Sequence, residues 1–479
     1  MRLSLRKTGG NALSILTSDV MNRATSFVLY ALVGRQLGAH EFGQLSLALT
    51  LFYVFQVLAV AGLKTFITRQ VAKDRAQTAA YFINGCMSAA ITSFFSLLVL
   101  FSFVRLMHYP PATSLVILLL SLGLFPYAFS AVCEGVFQAW ERMRYIAYVN
   151  VPVNAVKIGC AFLLLNWKNG LYVVILILLS SLIVIAVIEA WIMFRRFPRQ
   201  QSAFDPRFSL SMIRSASTFL GIDGTTAVIN SLNIVLLSKL ANETQVGLFS
   251  AAMQLMTPLM LVYQSIALSV FPIMCRKVEP GFQSLKQIAE DSIELLLALT
   301  LPVVAGIFFL GDWALSVLYK NPVFLQTFPA LRIVMWIMVF RVFTCVFGQV
   351  LVAGHREKIN LRIVVVDTLV NLLVGWPLIS HYGLYGAAIA VLLTSFADFS
   401  QHYIVVSRLF SGFPVARIVW KPAVAASCMT AFLAMPTGRA GILSGVSATL
   451  IYGGALLALA IWASGGLRRF RERYRPLLS

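Results

Sequence analysis

Apolar residues run through this chain in blocks of the length that crosses a bilayer, separated by short polar or basic interruptions. Fourteen such blocks occur, at 10–33, 42–63, 81–103, 114–137, 146–165, 171–194, 212–237, 246–273, 293–310, 330–352, 363–379, 384–409, 418–435 and 442–462. A helix needs roughly 20 mostly apolar residues to cross hydrocarbon about 30 Å thick, where a free backbone donor or acceptor finds no partner. The pattern predicts an all-α integral membrane protein with 14 transmembrane spans. The longest gaps, 198–210 and 275–291, are too short for an independent catalytic module.

The blocks repeat. LGAHEFGQLS at 37–46 recurs as LANETQVGLFS at 240–250 with one residue inserted, each time leading into the second span of a set. Asn154 in span 5 precedes Gly170-Leu171-Tyr172, and Asn371 in span 11 precedes Gly383-Leu384-Tyr385-Gly386. These matches predict two six-span bundles, 1–200 and 201–410, with 411–479 carrying two further spans and a basic tail. Six crossings per half is an even number, which sets the pseudo-two-fold axis along the membrane normal.

Composition agrees: 59% of residues are hydrophobic and 12% charged, against about 25% charged in a soluble chain. The net charge of +20 is not gathered on one compact domain, which argues against nucleic acid and for topology and anionic phospholipid. With 14 spans, one side of the membrane holds Arg2, Arg6, Lys7, Lys64, Arg69, Lys73, Arg142, Arg144, Arg195, Arg196 and most later basic residues, including Arg468 to Arg475. The other side holds only Arg35, Arg105, Lys168, Lys239, Lys320 and Arg439. Basic residues stay cytoplasmic, so both termini are expected there. Asp19, Asn22 and Arg23 interrupt the first apolar block, which therefore does not read as a cleavable leader. Six cysteines stand singly with no Cys-x-x-Cys pair, so neither a metal nor a redox cofactor is expected.

Polar residues within the spans are costly and mark candidate sites. Asp19, Asn22 and Arg23 share a face of span 1, and span 7 carries Asp223 and Asn230. Span 5 has Asn150, Asn154 and Lys157 on one stripe, span 11 has Asp367 and Asn371, and Arg341 sits within span 10. Arg23, Lys157 and Arg341, with Asn150, Asn154, Asn230 and Asn371, form the expected lining of a hydrophilic cavity that attracts an anion. Arg grips two phosphate oxygens where Lys acts as a point charge. Asp19, Asp223 and Asp367 either compete for those cations or bind H⁺ or Na⁺ as coupling ions. A structural reading stands beside this one: an Asp19–Arg23 pair, and asparagines serving only as bonds between helices. Glu134, Glu189, Glu294 and Asp398 lie near span ends and are expected as interfacial anchors.

The stretch GRQLGAHEFGQLSLA at 34–48 resembles the first-to-second helix junction of Wzx-type polysaccharide flippases, and HYGLYGAAIAVLLTS at 381–395 is similar to a later stretch of the same proteins. These belong to the multidrug/oligosaccharidyl-lipid/polysaccharide exporter superfamily, whose plan is two six-helix bundles plus two extra helices. The resemblance implies an inner-membrane transporter and no enzyme. Its cargo would be an undecaprenyl-pyrophosphate-linked repeat unit of O-antigen, capsule or exopolysaccharide. It further implies basic residues on the pyrophosphate, an ion gradient as the drive, and a polymerase and glycosyltransferases as partners.

Other readings are a lipid II flippase, whose Arg-rich first helix is not visible here, and a multidrug antiporter, which has fewer helices and a more acidic cavity. A membrane-embedded glycosyltransferase or polymerase would need a large polar loop, which this chain lacks. For topology, a cysteine at Ala39 is expected to be labelled from the periplasm and one at Ala76 from the cytoplasm; the reverse pattern overturns the orientation.

Overall fold

A computed structural model describes residues 2–164, 170–197, 204–278, 282–435 and 441–463. Within these, the side chains of 2–20, 218–219, 222–223, 264, 268, 272, 276–278, 282 and 442 are not described. Among the described residues no strand occurs. The helices are α1 (Arg2–Val60), α2 (Leu63–Lys73), α3 (Thr78–Met107), α4 (Pro111–Ser121), α5 (Leu124–Ala139), α6 (Arg144–Leu164), α7 (Gly170–Arg196) and α8 (Pro206–Leu240). They continue with α9 (Glu243–Val278), α10 (Phe282–Tyr319), α11 (Phe328–Met335), α12 (Ile337–Ala353), α13 (Glu357–Leu409), α14 (Val415–Ala434) and α15 (Ile442–Ala463).

Local chemistry sets the helix ends. Asp205 caps α8 by accepting the amides of Arg207 and Phe208, with Pro206 supplying a residue that has no amide to satisfy. Gly62, at φ 74°, takes the left-handed turn between α1 and α2. Two helices are interrupted within: α1 breaks at Gly38 (φ 82°) and α13 at Gly383 (φ 53°, ψ −122°). Both breaks fall in the junctions singled out by sequence, between spans 1 and 2 and between spans 11 and 12. Among the described residues ten helical stretches are long and apolar enough to cross a membrane, two of them, Met21–Lys73 and Glu357–Leu409, of 53 residues each. At about 1.5 Å per residue, 53 residues exceed twice the hydrocarbon thickness, so each of these must turn back at its glycine.

Large apolar side chains cover the outside of the protein as well as filling its core, and small polar ones are buried between helices. Phe94, Phe95, Leu106, Leu373 and Leu443 are exposed, whereas Asn84, Ser88, Ser93, Ser96 and Glu189 are buried. Lipid is as apolar as leucine, so helices are joined by close packing and by hydrogen bonds that the lipid cannot supply. One face of α3 shows this. Thr92 and Ser96 donate to the carbonyls of Ala59 (2.6 Å) and Phe55 (2.7 Å) on α1.

By contacts the chain divides into two compact units, Met1–Ser250 and Ala251–Ser479. In the first, α1 packs against α3, α4, α6 and α8, while α5 lies on α2, α3 and α7. Its interior includes the fully buried Phe42, Leu45, Leu51, Leu63, Ile67 and Phe137. Here the repeated segments meet. A Cβ at Gly43 would collide with the carbonyl of Glu243, and one at Gly247 with the carbonyl of Ala39. The crossing is reciprocal, residue for residue, at the offset that separates the two sequence matches. A chain of hydrogen bonds flanks it, from Gln44 to Thr113 (3.0 Å) and from Thr113 to Glu243 (2.9 Å). Ala39 is buried in this crossing and the neighbouring His40 is exposed, so position 40 is the better labelling reporter.

In the second unit, α13 packs on α11 and α12, while α10 carries α14, to which α15 is joined. Tyr319 and Phe324 stack at 4.3 Å, and Lys421 on α14 is tied to Glu294 on α10 at 2.8 Å. Gly383→Val is expected to destabilise the protein by about 1–3 kcal/mol, because a branched residue is strained at this backbone conformation. Thermal unfolding in detergent reads the loss; an unchanged melting temperature would mean the turn relaxes freely.

Candidate functional site

The polar residues of span 5 are brought against span 1. Asn154 on α6 donates its amide to the side-chain oxygen of Asn22 on α1. Asn154 is 2% exposed, so this bond satisfies an amide that lipid would leave unpaired. Arg23 follows Asn22 directly, and Lys157 stands one turn beyond Asn154; both are half-buried. Among the described residues no carboxylate pairs with Arg23 or Lys157.

Beside them lies a cleft of about 350 Å³ between α1 and α8, lined by Thr50, Tyr53, Gln56, Val57, Thr226, Ala227, Asn230 and Ser231. The guanidinium of Arg23 is within electrostatic range of the Tyr53 hydroxyl on the wall of this cleft. The first unit therefore brings four of the predicted residues to hydrogen-bonding groups, Arg23, Asn154, Lys157 and Asn230, and among the described residues the two cations have no carboxylate partner.

Asn150 is engaged elsewhere, its amide donating to Glu134 at 3.5 Å. In the second unit, Asn371 donates to Thr394 at 3.1 Å, and Asp367 accepts from Gln401 at 2.9 Å. Asp367 also faces the carboxyl of Asp398, which is bonded to His402 at 2.8 Å. Three predicted asparagines, Asn150, Asn154 and Asn371, thus form inter-helix bonds, as the structural reading has it. Arg341 is an exposed residue of α12. The side chains of Asp19 and Asp223 lie outside the described residues.

Two groups were missed by sequence reasoning because they sit near span ends. Glu189 on α7 is wholly buried and takes the Ser130 hydroxyl at 2.5 Å. Lys64 on α2 pairs with Glu134 on α5. Glu189, expected as an interfacial anchor, is enclosed instead. The spacing of Ser130 and Glu134 on one helix face was a usable signal, but it named no partner. Asp398 and His402 likewise join Asp367 across the fold of α13. Among the described residues no three His, Cys, Asp or Glu side chains gather into a metal site.

The arrangement defines a class: a multi-pass helical membrane protein with polar groups buried between its helices and large apolar side chains on its outer surface. The family of polysaccharide biosynthesis proteins matches residues 9–277, and the chain belongs to it. It is 22% identical over 282 residues to a putative O-antigen transporter of Shigella dysenteriae, covering 57% of this chain and 68% of the relative. It is 22% identical over 457 residues to a probable low-salt glycan biosynthesis flippase, Agl15, of Haloferax volcanii, covering 94% and 92%.

Among solved structures, the fold is similar to the lipid II flippase MurJ in an inward closed conformation, with a TM-score of 0.69, 15% identity, and 98% and 100% of the two chains covered. An inward-facing multidrug MATE transporter of the MOP superfamily is similar at a TM-score of 0.64 and 15% identity, covering 83% and 99%. The resemblance to Wzx-type flippases read from the helix junctions is thereby upheld: the chain is a membrane flippase of the polysaccharide group.

Asn154→Leu is expected to cost about 1–3 kcal/mol by stranding the Asn22 side-chain oxygen. Adding Asn22→Leu should recover part of that loss in a double-mutant cycle of unfolding. Strictly additive losses would show that the two amides do not support each other.

Proposed function

We propose that this chain carries undecaprenyl-pyrophosphate-linked oligosaccharide repeat units of O-antigen, capsule or exopolysaccharide from the cytoplasmic to the periplasmic leaflet, by ion-coupled alternating access. The observation that carries the reading is the pair Arg23 and Lys157, half-buried and without a carboxylate partner among the described residues. Removing such charges from water is costly unless an anion compensates them, and a pyrophosphate supplies four or more acceptor oxygens at that depth. The hydroxyl and amide groups of Thr50, Tyr53, Gln56, Asn230 and Ser231 suit the sugar part of the same cargo. Arg341 is proposed as a third cation for the head group.

The chain works in a bacterial inner membrane with both termini cytoplasmic and 14 spans: two bundles, 1–200 and 201–410, and an appendage at 411–479. Asp367, held with Asp398, Gln401 and His402, is the coupling acid best supported by its surroundings, and Asp19 and Asp223 are further ones. A second reading, a lipid II flippase, draws on the full-length likeness to MurJ. Both cargoes present a pyrophosphate on the same lipid, and they differ in the sugar.

The test is flipping of a fluorescent undecaprenyl-pyrophosphate oligosaccharide by the full chain in proteoliposomes. A charge-assisted bond is worth about 1.5–3 kcal/mol, so Arg23→Ala should slow flipping roughly 10- to 150-fold, with Arg341→Ala affected as well. Arg23→Lys should retain an intermediate rate. Full activity of both alanine variants at normal protein level defeats the anion reading, and rescue of a strain lacking its lipid II flippase would favour the second cargo.

A further inference from the structure

Three helices of the first unit bring together charges that do not balance. Lys64 comes from α2, Glu134 from α5 and Glu189 from α7, so one ammonium faces two carboxyl groups. Lys64 is committed to Glu134, whose second oxygen receives the amide of Asn150 at 3.5 Å.

Glu189 is 0% exposed. One of its oxygens accepts from Ser130 at 2.5 Å, and the other has no hydrogen-bond partner among the described residues. Among the described residues the remaining titratable groups nearby are Cys133 and Tyr127 on α5 and Cys86 on α3, and none of these can supply a positive charge. The packing that encloses the cluster is tight, because Gly135 lets α2 lie directly on α5 and Thr68 donates to the Gly135 carbonyl at 3.0 Å.

An enclosed carboxylate without a counter-ion is far costlier than the corresponding acid. One proton on Glu189 makes the cluster neutral: one ion pair and one carboxylic acid. We infer that Glu189 is a proton-binding residue of the transport cycle, holding its proton beside the Lys64–Glu134 pair and releasing it when the three helices admit water.

On release the carboxyl O–H bond breaks, the proton passes to water, and the new carboxylate shares Lys64 with Glu134. The rim through which water would enter is the Lys64 side, where the Lys64 side chain is 35% exposed and that of Glu134 17%. This inference deepens the ion-coupled reading above, on which its transport arm rests; its spectroscopic arm stands alone.

The experiment uses the full chain in lipid nanodiscs and infrared spectroscopy over a pH series. A protonated-carboxyl band present in the native protein should be missing from Glu189→Gln. Lys64→Met should gain a further band, because both acids then lack a counter-ion. Ser130→Ala should shift the Glu189 band, which keeps the test decisive if Glu189→Gln does not fold. In proteoliposomes, one coupled proton changes the steady-state ratio of labelled lipid across the membrane about tenfold per pH unit of gradient. Glu189→Gln should abolish that response.

Spectra of Glu189→Gln identical to native overturn the proposal. So does a lost band with the gradient response intact, since the proton would then be structural. If the native protein flips no labelled lipid, the transport reading fails, and the infrared comparison alone decides whether Glu189 binds the proton.

Discussion

Hydrocarbon offers no hydrogen-bond partner, and every polar group this chain carries into the membrane must find one inside the protein. That constraint organises the structure. It makes the secondary structure helical, lets leucine and phenylalanine face outward as well as inward, and drives serine, threonine, asparagine and glutamate into the contacts between helices. The bonds from Thr92 and Ser96 to α1, from Asn154 to Asn22 and from Asn371 to Thr394 are local solutions of it.

Charge is the harder case, because an isolated ion at the membrane centre costs several kcal/mol even by lenient scales, roughly 2.5–3.5. The chain meets this cost in different ways. Lys421 and Glu294 pair across α10 and α14, and Lys64 and Glu134 pair across α2 and α5. Arg23 and Lys157 are left without a described carboxylate, beside a cleft of hydroxyl and amide groups. Under the proposed function, an anionic head group would supply the counter-ion that Arg23 and Lys157 lack among the described residues.

The glycine junctions connect this chemistry to motion. Gly38 and Gly383 let a helical run double back within one residue, and Gly43 and Gly247 let two helix starts touch backbone to backbone. A side chain at Gly43 or Gly247 would push the segments apart, and one at Gly38 or Gly383 would strain the backbone. The chain spends its most permissive residues where spans meet, leaving the interior of each span free for polar pairs.

Length and hydropathy alone determined that the chain is a bundle of membrane helices, because a run of about twenty apolar residues has no other stable form in lipid. The paired glycine junctions and the polar stripe of Asn150, Asn154 and Lys157 were legible for a similar reason, since turn chemistry and helical spacing are local properties. Partners were not. That Asn154 meets Asn22, that Asn150 turns to Glu134, and that Glu189 lies fully enclosed with Ser130 instead of at an interface all depend on contacts between residues 16 to 132 positions apart. Sequence periodicity fixes which residues share a helix face, while only the packing of one helix on another decides what that face meets and whether its charge is matched.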